Sequence, residues 1–258
     1  MEMCVAELSY HILGWATLHM EVKGKQTHSS MPPRESTIGI MANAISNLEK
    51  NRHPSRFGTG PEYDTAAYSA HYASFGYKIA LANLWLFSPI VSMIMASDSA
   101  TDATQRTTTA VTIVEAGIKE NVVPGEARFV VNHRIHTSDD IHTVLDYDKD
   151  NIDDERVQIK VSNFFDPPKI SPYSSDTIPF QVIANSALDV YGDHVGVVPG
   201  LLVGNTDTIH YMDLTDNIYR FSPAFLFPED VDRFHGINER ISVKNYNQVF
   251  LQTRLAQI

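Results

Sequence analysis

Cysteine is almost absent from this sequence. Cys4 is the only one among 258 residues. An internal disulfide, a cysteine-based zinc knuckle and a redox pair each require at least two cysteines, so all three are excluded. The composition is otherwise that of a globular protein, with 43% hydrophobic and 20% charged residues, and the chain is long enough to bury one large core or two modest ones.

Basic clusters and long apolar runs are lacking too. The formal charge is −11 and Lys and Arg are scattered, so we expect no nucleic-acid partner, because phosphate binding requires clustered cations. The most apolar stretch, 79–96, is interrupted by Asn83, Pro89 and two serines, and it falls short of the roughly 20 residues that span a bilayer. It predicts buried helical surface, and we expect no membrane span.

The first 13 residues, MEMCVAELSYHIL, are an atypical N-terminal segment. They contain Glu2 and Glu7 and lack a basic start, so they make a poor signal peptide. The sequence therefore leaves the cellular compartment open.

Period-two alternation predicts the strands of a first domain. It occurs in Trp15–Lys23, in the run that follows Pro124 and Gly125, and in Val157–Phe165. A further strand is predicted over 107–118, because this run is rich in β-branched residues. A helix is predicted from Ile38, Met41, Ile45 and Leu48, with Ser36 or Thr37 as its cap, and a second helix from Asp139 to Asp150.

The order of these elements predicts the fold class. A helical insert, about 64–104, precedes the second strand, so the order is β-α-insert-β-β-α-β, the split arrangement of a four-stranded sheet with two helices on one face. The segment 166–176 has three prolines and three serines and marks a domain boundary. We therefore assign residues 14–168 to this sheet domain and 169–258 to a smaller α/β part.

The C-terminal part is predicted to alternate helices and strands. A helix is expected over Ile178–Val190, a short strand ending at Val203, a strand around Ile218–Phe221 and a last helix from Ser242. The loop GNTD at 204–207 follows the first of these strands and either lines a crevice or forms a simple turn.

Few residues point to chemistry without further context. The motifs HExxH and GxSxG, the P-loop and paired CxxC are all absent. Five histidines stand among polar residues and are interpreted as solvated surface: His53, His71, His133, His142 and His194. His235, between Phe234 and Gly236, could bind Zn²⁺ with Glu239 as acceptor behind it, or be a buried structural histidine.

Five motifs taken in order resemble a known family. They are HSSMPP at 28–33, RTTTAVTIVEAGIKENVVP at 106–124, HRIH at 133–136, GNTD at 204–207 and FHGINERIS at 234–242. Together they resemble the zinc metallopeptidase family of aminoacylase, carboxypeptidase S and carnosinase. The likeness is strongest to the subgroup of carboxypeptidase S and the N-fatty-acyl amino acid synthase/hydrolases, and it covers nearly the whole chain after about Gly14.

The resemblance implies a fold, a cofactor and a set of roles. Family members insert a dimerising lid, with one four-stranded sheet and two helices, into an α/β catalytic domain that binds two Zn²⁺ ions. By resemblance His235 is the last metal ligand, and His28 reaches the active site of the partner subunit and stabilises the oxyanion. Asn121 and Arg134 help to hold the substrate, and Gly204 and Asn205 also belong to the substrate site.

The departures from the family limit what this chain is expected to do alone. The other metal ligands and the general base of the family precede the lid, and one histidine is too few for a catalytic zinc that needs three protein ligands. We therefore expect no stable zinc binding by this chain alone. In addition, Thr137 stands where the family often has Pro, and Ile209 stands where it often has the Arg that recognises a substrate carboxylate.

Three hypotheses remain open at this point. The chain is a piece of a hydrolase that cleaves or forms an amide between an acyl group and an amino acid, or of a carboxypeptidase. Alternatively, it is a non-catalytic module that forms a homodimer, or a heterodimer with a full-length relative, through the lid. In the third, only the lid is stable and the strands after Asp176 lack their sheet partners.

Overall fold

The computed structural model describes residues 4–174, 176–192, 195–202, 207–221, 224, 233 and 236–255 of the chain. Its strands are β1 (Cys4–Ile12), β2 (Gly14–Lys23), β3 (Thr27–His28), β4 (Thr108–Ala116), β5 (Val122–Val123), β6 (Glu126–Ile135), β7 (Val157–Phe165) and β8 (Val195–Leu202). Its helices are α1 (Thr37–Lys50), α2 (Pro61–Ser69), α3 (Phe75–Ala82), α4 (Leu84–Met95), α5 (Ser99–Asp102), α6 (Ile141–Ile152), α7 (Ile178–Tyr191) and α8 (Val243–Leu255).

Four antiparallel strands form the central sheet, in the order β4, β6, β2, β7. Alternation drives its formation, because every second residue of β2 points into the core. Ala16, Leu18, Met20 and Val22 are each at most 1% exposed, and burying a side chain of the larger kind contributes about 1.5–3 kcal/mol. The predicted four-stranded sheet is confirmed.

Two helices, α1 and α6, pack against each other and over one face of this sheet. Ser36 caps α1, since its Oγ accepts a hydrogen bond from Gly39 N at 3.1 Å, and Asp140 caps α6 through Thr143 N at 2.7 Å. The apolar stripe of α1, which includes Met41 and Leu48, joins the core of the sheet. The predicted fold class, a sheet with two helices on one face, is thereby confirmed.

The helices α2 to α5 form the insert between α1 and β4, and polar contacts anchor it. The carboxylate of Asp102 accepts hydrogen bonds from Arg52 and Arg106, each at 2.8 Å. Glu62, buried at the start of α2, lies 3.3 Å from Nε2 of the equally buried His136. Hydrogen bonds to a buried carboxylate are costly to break, so these contacts hold the insert on the end of the sheet domain.

A second, two-stranded sheet lies apart from the first. In it β1 pairs in parallel with β8, from Cys4 opposite Val195 to Ile12 opposite Leu202. The sequence did not predict β1, and the pairing joins the N-terminal segment to the C-terminal part. The insert contacts this sheet, since Oγ1 of Thr65 on α2 donates to the carbonyl of Pro199 at 2.8 Å.

The predicted strand around Ile218–Phe221 is wrong. Only a single bridge, at Arg220, occurs there, because both backbone groups of Ile218 bond to the hydroxyl of Ser171, at 2.9 and 3.0 Å, in place of a neighbouring strand. The helix predicted from Ile178 is confirmed as α7 and the last helix as α8. The domain boundary at 166–176 stays a prediction.

No single helix among the described residues is long and apolar enough to cross a bilayer. Only α3 and α4 together, which are bent by 115° at their junction, reach that length and composition.

Candidate functional site

The structure places two of the predicted site residues together, at one end of the sheet domain. His28 is the last residue of β3, which pairs with β5 so that His28 lies opposite Val122. The next residue, Ser29, donates its backbone N–H to the carbonyl of Asn121 at 3.0 Å. Both His28 and Asn121 are exposed, so this corner presents an imidazole and a carboxamide to the outside.

Hydrogen bonds from Ser30 fix the tautomer of His28. The backbone N–H of Ser30, which can only donate, lies 3.2 Å from Nδ1 of His28, and the Ser30 hydroxyl lies 2.8 Å from the same atom. Since Nδ1 is therefore an acceptor, the proton of the neutral ring is on Nε2. The neutral ring of this exposed residue therefore carries its N–H donor at Nε2.

Arg134 lies far from this corner. It is exposed, at the C-terminal end of β6, and β6 begins at Glu126, beyond the end of β5. Eight residues of strand at about 3.3 Å each put roughly 25 Å between Glu126 and Arg134. The structure of one chain therefore does not bring Arg134 together with His28 and Asn121.

Three predicted site residues, Gly204, Asn205 and His235, lie outside the described residues. Of the loop GNTD only Asp207 is described, at the start of a 3₁₀ turn, Asp207–His210. A cation that the sequence did not single out lies beside this turn: the Arg220 guanidinium donates to the hydroxyl of Thr208. Burial lowers the pKa of Arg220, and the carboxylate of Asp207 opposes that shift. A guanidinium therefore lies next to Ile209, where the family often has Arg.

The side chains described do not match the two-metal centre that the resemblance implies. Among the described residues only His53, His133 and Asp148 converge as three groups of metal-ligating type, and they lie between the sheet and its helices. We therefore derive no catalytic step through a zinc ion held by this chain.

The surface interpretation of His53 and His133 is wrong, whereas His71 and His142 are exposed as predicted and His194 lies outside the described residues. His53 is 2% exposed, and His133 and Asp148 are fully buried. Nε2 of His133 is 2.9 Å from one carboxylate oxygen of Asp148, and Nε2 of His53 is 3.6 Å from the other. Burial raises the pKa of Asp148, but the two imidazoles outweigh it, so the pKa lies below its ordinary value.

A signal for this cluster was present in the sequence. In β6 the inward positions are Phe129, Val131, His133 and Ile135, so period-two alternation alone puts His133 in the core. The inward stripe of α6 likewise includes Asp148, four residues after Val144. A polar residue at a core position is informative, because its burial is costly without a partner.

Comparison with known proteins gives the chain close relatives. It is 45% identical over 238 residues to the N-fatty-acyl-amino acid synthase/hydrolase PM20D1.1 of Danio rerio, an alignment that covers 92% of this chain and 46% of that protein. It is 42% identical over 224 residues to the probable carboxypeptidase S-like 2 of Dictyostelium discoideum, which covers 86% of this chain and 42% of that protein. The chain therefore spans about half the length of the curated relatives it matches.

A solved structure and a family model agree with this likeness. The M20 family metallo-carboxypeptidase Sso-CP2 of Sulfolobus solfataricus superposes with a TM-score of 0.64 over 98% of this chain and 59% of that one, at 15% identity, which supports the fold alone. The model of the peptidase dimerisation domain matches residues 10–159. That range contains β2, β4, β6, both helices of the sheet domain and the first three residues of β7. The chain therefore belongs to the M20 peptidase family and carries its dimerisation domain.

Proposed function

We propose that this chain is the dimerising part of a zinc-dependent hydrolase of the amide bond in N-acyl amino acids, and that its His28 acts in the active site of the partner subunit. The relatives support the reaction class, since one carries the name of an N-fatty-acyl-amino acid synthase/hydrolase and another that of a carboxypeptidase S-like protein. Both names describe chemistry at an amide bond next to an amino acid.

The orientation of His28 carries the proposal. Hydrolysis of an amide passes through a tetrahedral intermediate whose oxygen becomes negative, and a fixed N–H donor stabilises that charge. Ser30 bonds to Nδ1, so the Nε2–H group is left as the donor that such an oxyanion requires. The backbone carbonyl of Asn121 is bonded to Ser29, the residue after His28, and we propose that the carboxamide of Asn121 contacts the same substrate.

The distance between His28 and Arg134 along β6 supports an active site that is shared between two subunits. Arg134 can pair with a substrate carboxylate through its planar guanidinium, but it lies at the far end of the strand from His28. Because one small substrate does not bridge the two ends, His28 and Arg134 of the same chain serve different active sites. In a dimer, each site would receive Arg134 from one subunit and His28 from the other.

An exposed strand edge supports the dimer. Among the described residues β4 has a neighbouring strand on one side alone, β6, and its apolar residues Ile113 and Val114 are 50% and 55% exposed. An apolar edge of this kind pairs readily with another strand. We propose that β4 of one subunit lies against β4 of the other.

The insert supports an acyl substrate. The predicted burial of the stretch 79–96 is wrong, because most apolar side chains on α3 and α4 are exposed, among them Phe75 at 80%, Trp85 at 78% and Met93 at 67%. Contact with an acyl chain would remove such surface from water, which is favourable at about 25 cal/mol per Å². In the C-terminal part, the proposed metal ligand is His235, and the proposed substrate residues are Gly204 and Asn205.

The experiment tests whether this chain restores hydrolytic activity to a relative that lacks the histidine aligned to His28. The Danio rerio relative, with the residue aligned to His28 replaced by Ala, is co-expressed with this chain and assayed for hydrolysis of an N-acyl amino acid. Loss of one oxyanion donor lowers kcat about 10²–10³-fold. We expect this chain to restore activity by donating its own His28 to the relative's intact site.

Two variants of this chain make the test specific. His28→Ala should dimerise with the relative and fail to rescue it, whereas His142→Ala, which removes an exposed histidine of α6, should rescue fully. Equal rescue by both variants would refute the role of His28. A mixed dimer that forms without any rescue would instead favour the non-catalytic dimerisation module.

A further inference from the structure

We propose that His53, His133 and Asp148 form a binding site for a divalent transition-metal ion of the Zn²⁺ class inside the sheet domain. The three side chains come from three separate elements: the loop after α1, strand β6 and helix α6. An ion bound to all three would cross-link the helices to the sheet.

Unsatisfied polar atoms are the first argument for an ion. Nε2 of His53, Nε2 of His133 and both carboxylate oxygens of Asp148 are buried and make no hydrogen bond of acceptable geometry. A buried carboxylate is costly when its contacts with neighbouring groups fall short of well-formed hydrogen bonds. A cation between the three side chains would satisfy the ring nitrogens and the carboxylate at once.

The distances are those that a small ion requires. One ligand atom from each side chain lies within 4.8 Å of the other two, and the two measured pairs with Asp148 are 2.9 and 3.6 Å apart. Two ligand atoms that each lie about 2.1 Å from a tetrahedral Zn²⁺ are about 3.4 Å apart. The site therefore needs only small shifts to close around the ion.

The side chains that contact the two histidine rings also favour a metal site. Nδ1 of His133 lies 3.4 Å from the hydroxyl of Thr109, which can accept a hydrogen bond from an Nδ1–H group, and that tautomer leaves the lone pair of Nε2 for the metal. The ring of His53 lies 4.4 Å from that of Tyr147, whose hydroxyl donates to the carbonyl of Arg52 at 2.9 Å. Both rings are therefore held in place before any ion binds.

The donor set selects the class of metal. Two imidazoles and one carboxylate suit Zn²⁺ and Co²⁺, whereas Mg²⁺ and Ca²⁺ prefer oxygen ligands. All three side chains are buried, so substrate has no access, and the role of the ion is to stabilise the domain. The proposal does not depend on the enzymatic activity of the chain.

The test uses the full chain with His235→Ala, so that binding at His235 does not contribute. After removal of metal with a chelator, Zn²⁺ at 100-fold its Kd should raise Tm by about 5 °C or more. Co²⁺ should bind with a stoichiometry of one and show the visible absorption of a four-coordinate ion. Mg²⁺ should produce neither effect.

Asp148→Asn keeps the shape of the side chain and removes its charge, so it should abolish the Tm shift, while His142→Asn on the same helix should leave it unchanged. If Asp148→Asn does not fold, anomalous diffraction at the zinc edge from zinc-soaked crystals decides, with a peak expected between the three side chains. Absence of that peak, or an undiminished shift in folded Asp148→Asn, would overturn the proposal and leave a metal-free His–Asp–His contact.

Discussion

Asp140 controls the first turn of α6 through its side chain. The carboxylate accepts hydrogen bonds from the backbone N–H and the hydroxyl of Thr143, both at 2.7 Å. Asp140→Ala removes this cap and should lower the free energy of unfolding by about 1 kcal/mol at pH 7. Chemical denaturation monitored by circular dichroism measures the change.

The same contact makes the stability depend on pH. The bonds to Thr143 lower the pKa of Asp140 below its ordinary value, so its contribution is fully present above the unfolded-state pKa and is lost as the pH falls through the folded-state pKa. Asp140→Asn still caps the helix but does not titrate in this range. The difference in stability between wild type and Asp140→Asn should therefore shrink on acidification, and a difference that grows would contradict this assignment.

Single residues show where sequence reasoning succeeds and where it stops. Ser36 could be identified as a cap because capping depends on neighbours in the chain. His53 and His133 were misplaced, because polar neighbours in the sequence say little about neighbours in space. The alternation of β6 was sufficient to bury His133, whereas nothing local predicts that His53, in a loop, meets Asp148.

At the scale of elements, the contact between α2 and β8 depends on a glycine. A Cβ added to Gly196 would overlap the ring of Tyr72, which lies just beyond α2. Gly196→Ala should therefore displace the insert from β8, at a cost of about 1–3 kcal/mol. Hydrogen exchange of the backbone amides in α2 and β8 should become faster.

Gly76→Ala provides the matched control for that measurement. Gly76 lies in α3, and an added Cβ would meet no atom within 4 Å. Alanine in a helix is favoured over glycine by about 0.5–1 kcal/mol, so this variant should be neutral or slightly more stable. Unchanged exchange in Gly196→Ala would show that the ring of Tyr72 moves aside without loosening α2.

Elements built from local patterns were predictable, and those that depend on distant partners were not. β2, β6 and β7 follow from alternation, and α1 from spacing and a cap. β1 was not predicted, because its partner strand, β8, follows it by about 190 residues. The strand expected at 218–221 is absent because the backbone groups of Ile218 bond to the hydroxyl of Ser171. Side-chain competition of that kind leaves no periodic signal.

At the scale of the whole molecule, the proposed sharing of active sites requires a dimer, which we propose to form through β4. Val114→Lys places a charge on the exposed edge strand and should shift the chain towards monomer by at least tenfold in Kd, because a lysine at an edge opposes strand pairing. Sedimentation equilibrium measures the change. The control is Gln158→Lys on the opposite edge strand, β7, which should dimerise like wild type. If Gln158→Lys weakened the dimer and Val114→Lys did not, the interface would lie at β7.

The sequence supported the family and the fold of this molecule, but not the assembly of its site. The motifs around His28, Asn121 and Arg134 were recognisable, yet the strand length that separates Arg134 from His28 and Asn121 became evident only in three dimensions. That separation is the reason for proposing an active site shared between subunits.

A structure of the mixed dimer between this chain and the full-length Danio rerio relative, with a non-hydrolysable N-acyl amino acid analogue bound, tests that claim most directly. We predict that Nε2 of His28 lies about 2.7–3.2 Å from the oxygen that replaces the amide carbonyl in the partner's active site. An Nε2 atom that faces solvent, or a dimer in which His28 lies on the side away from the partner, would contradict it.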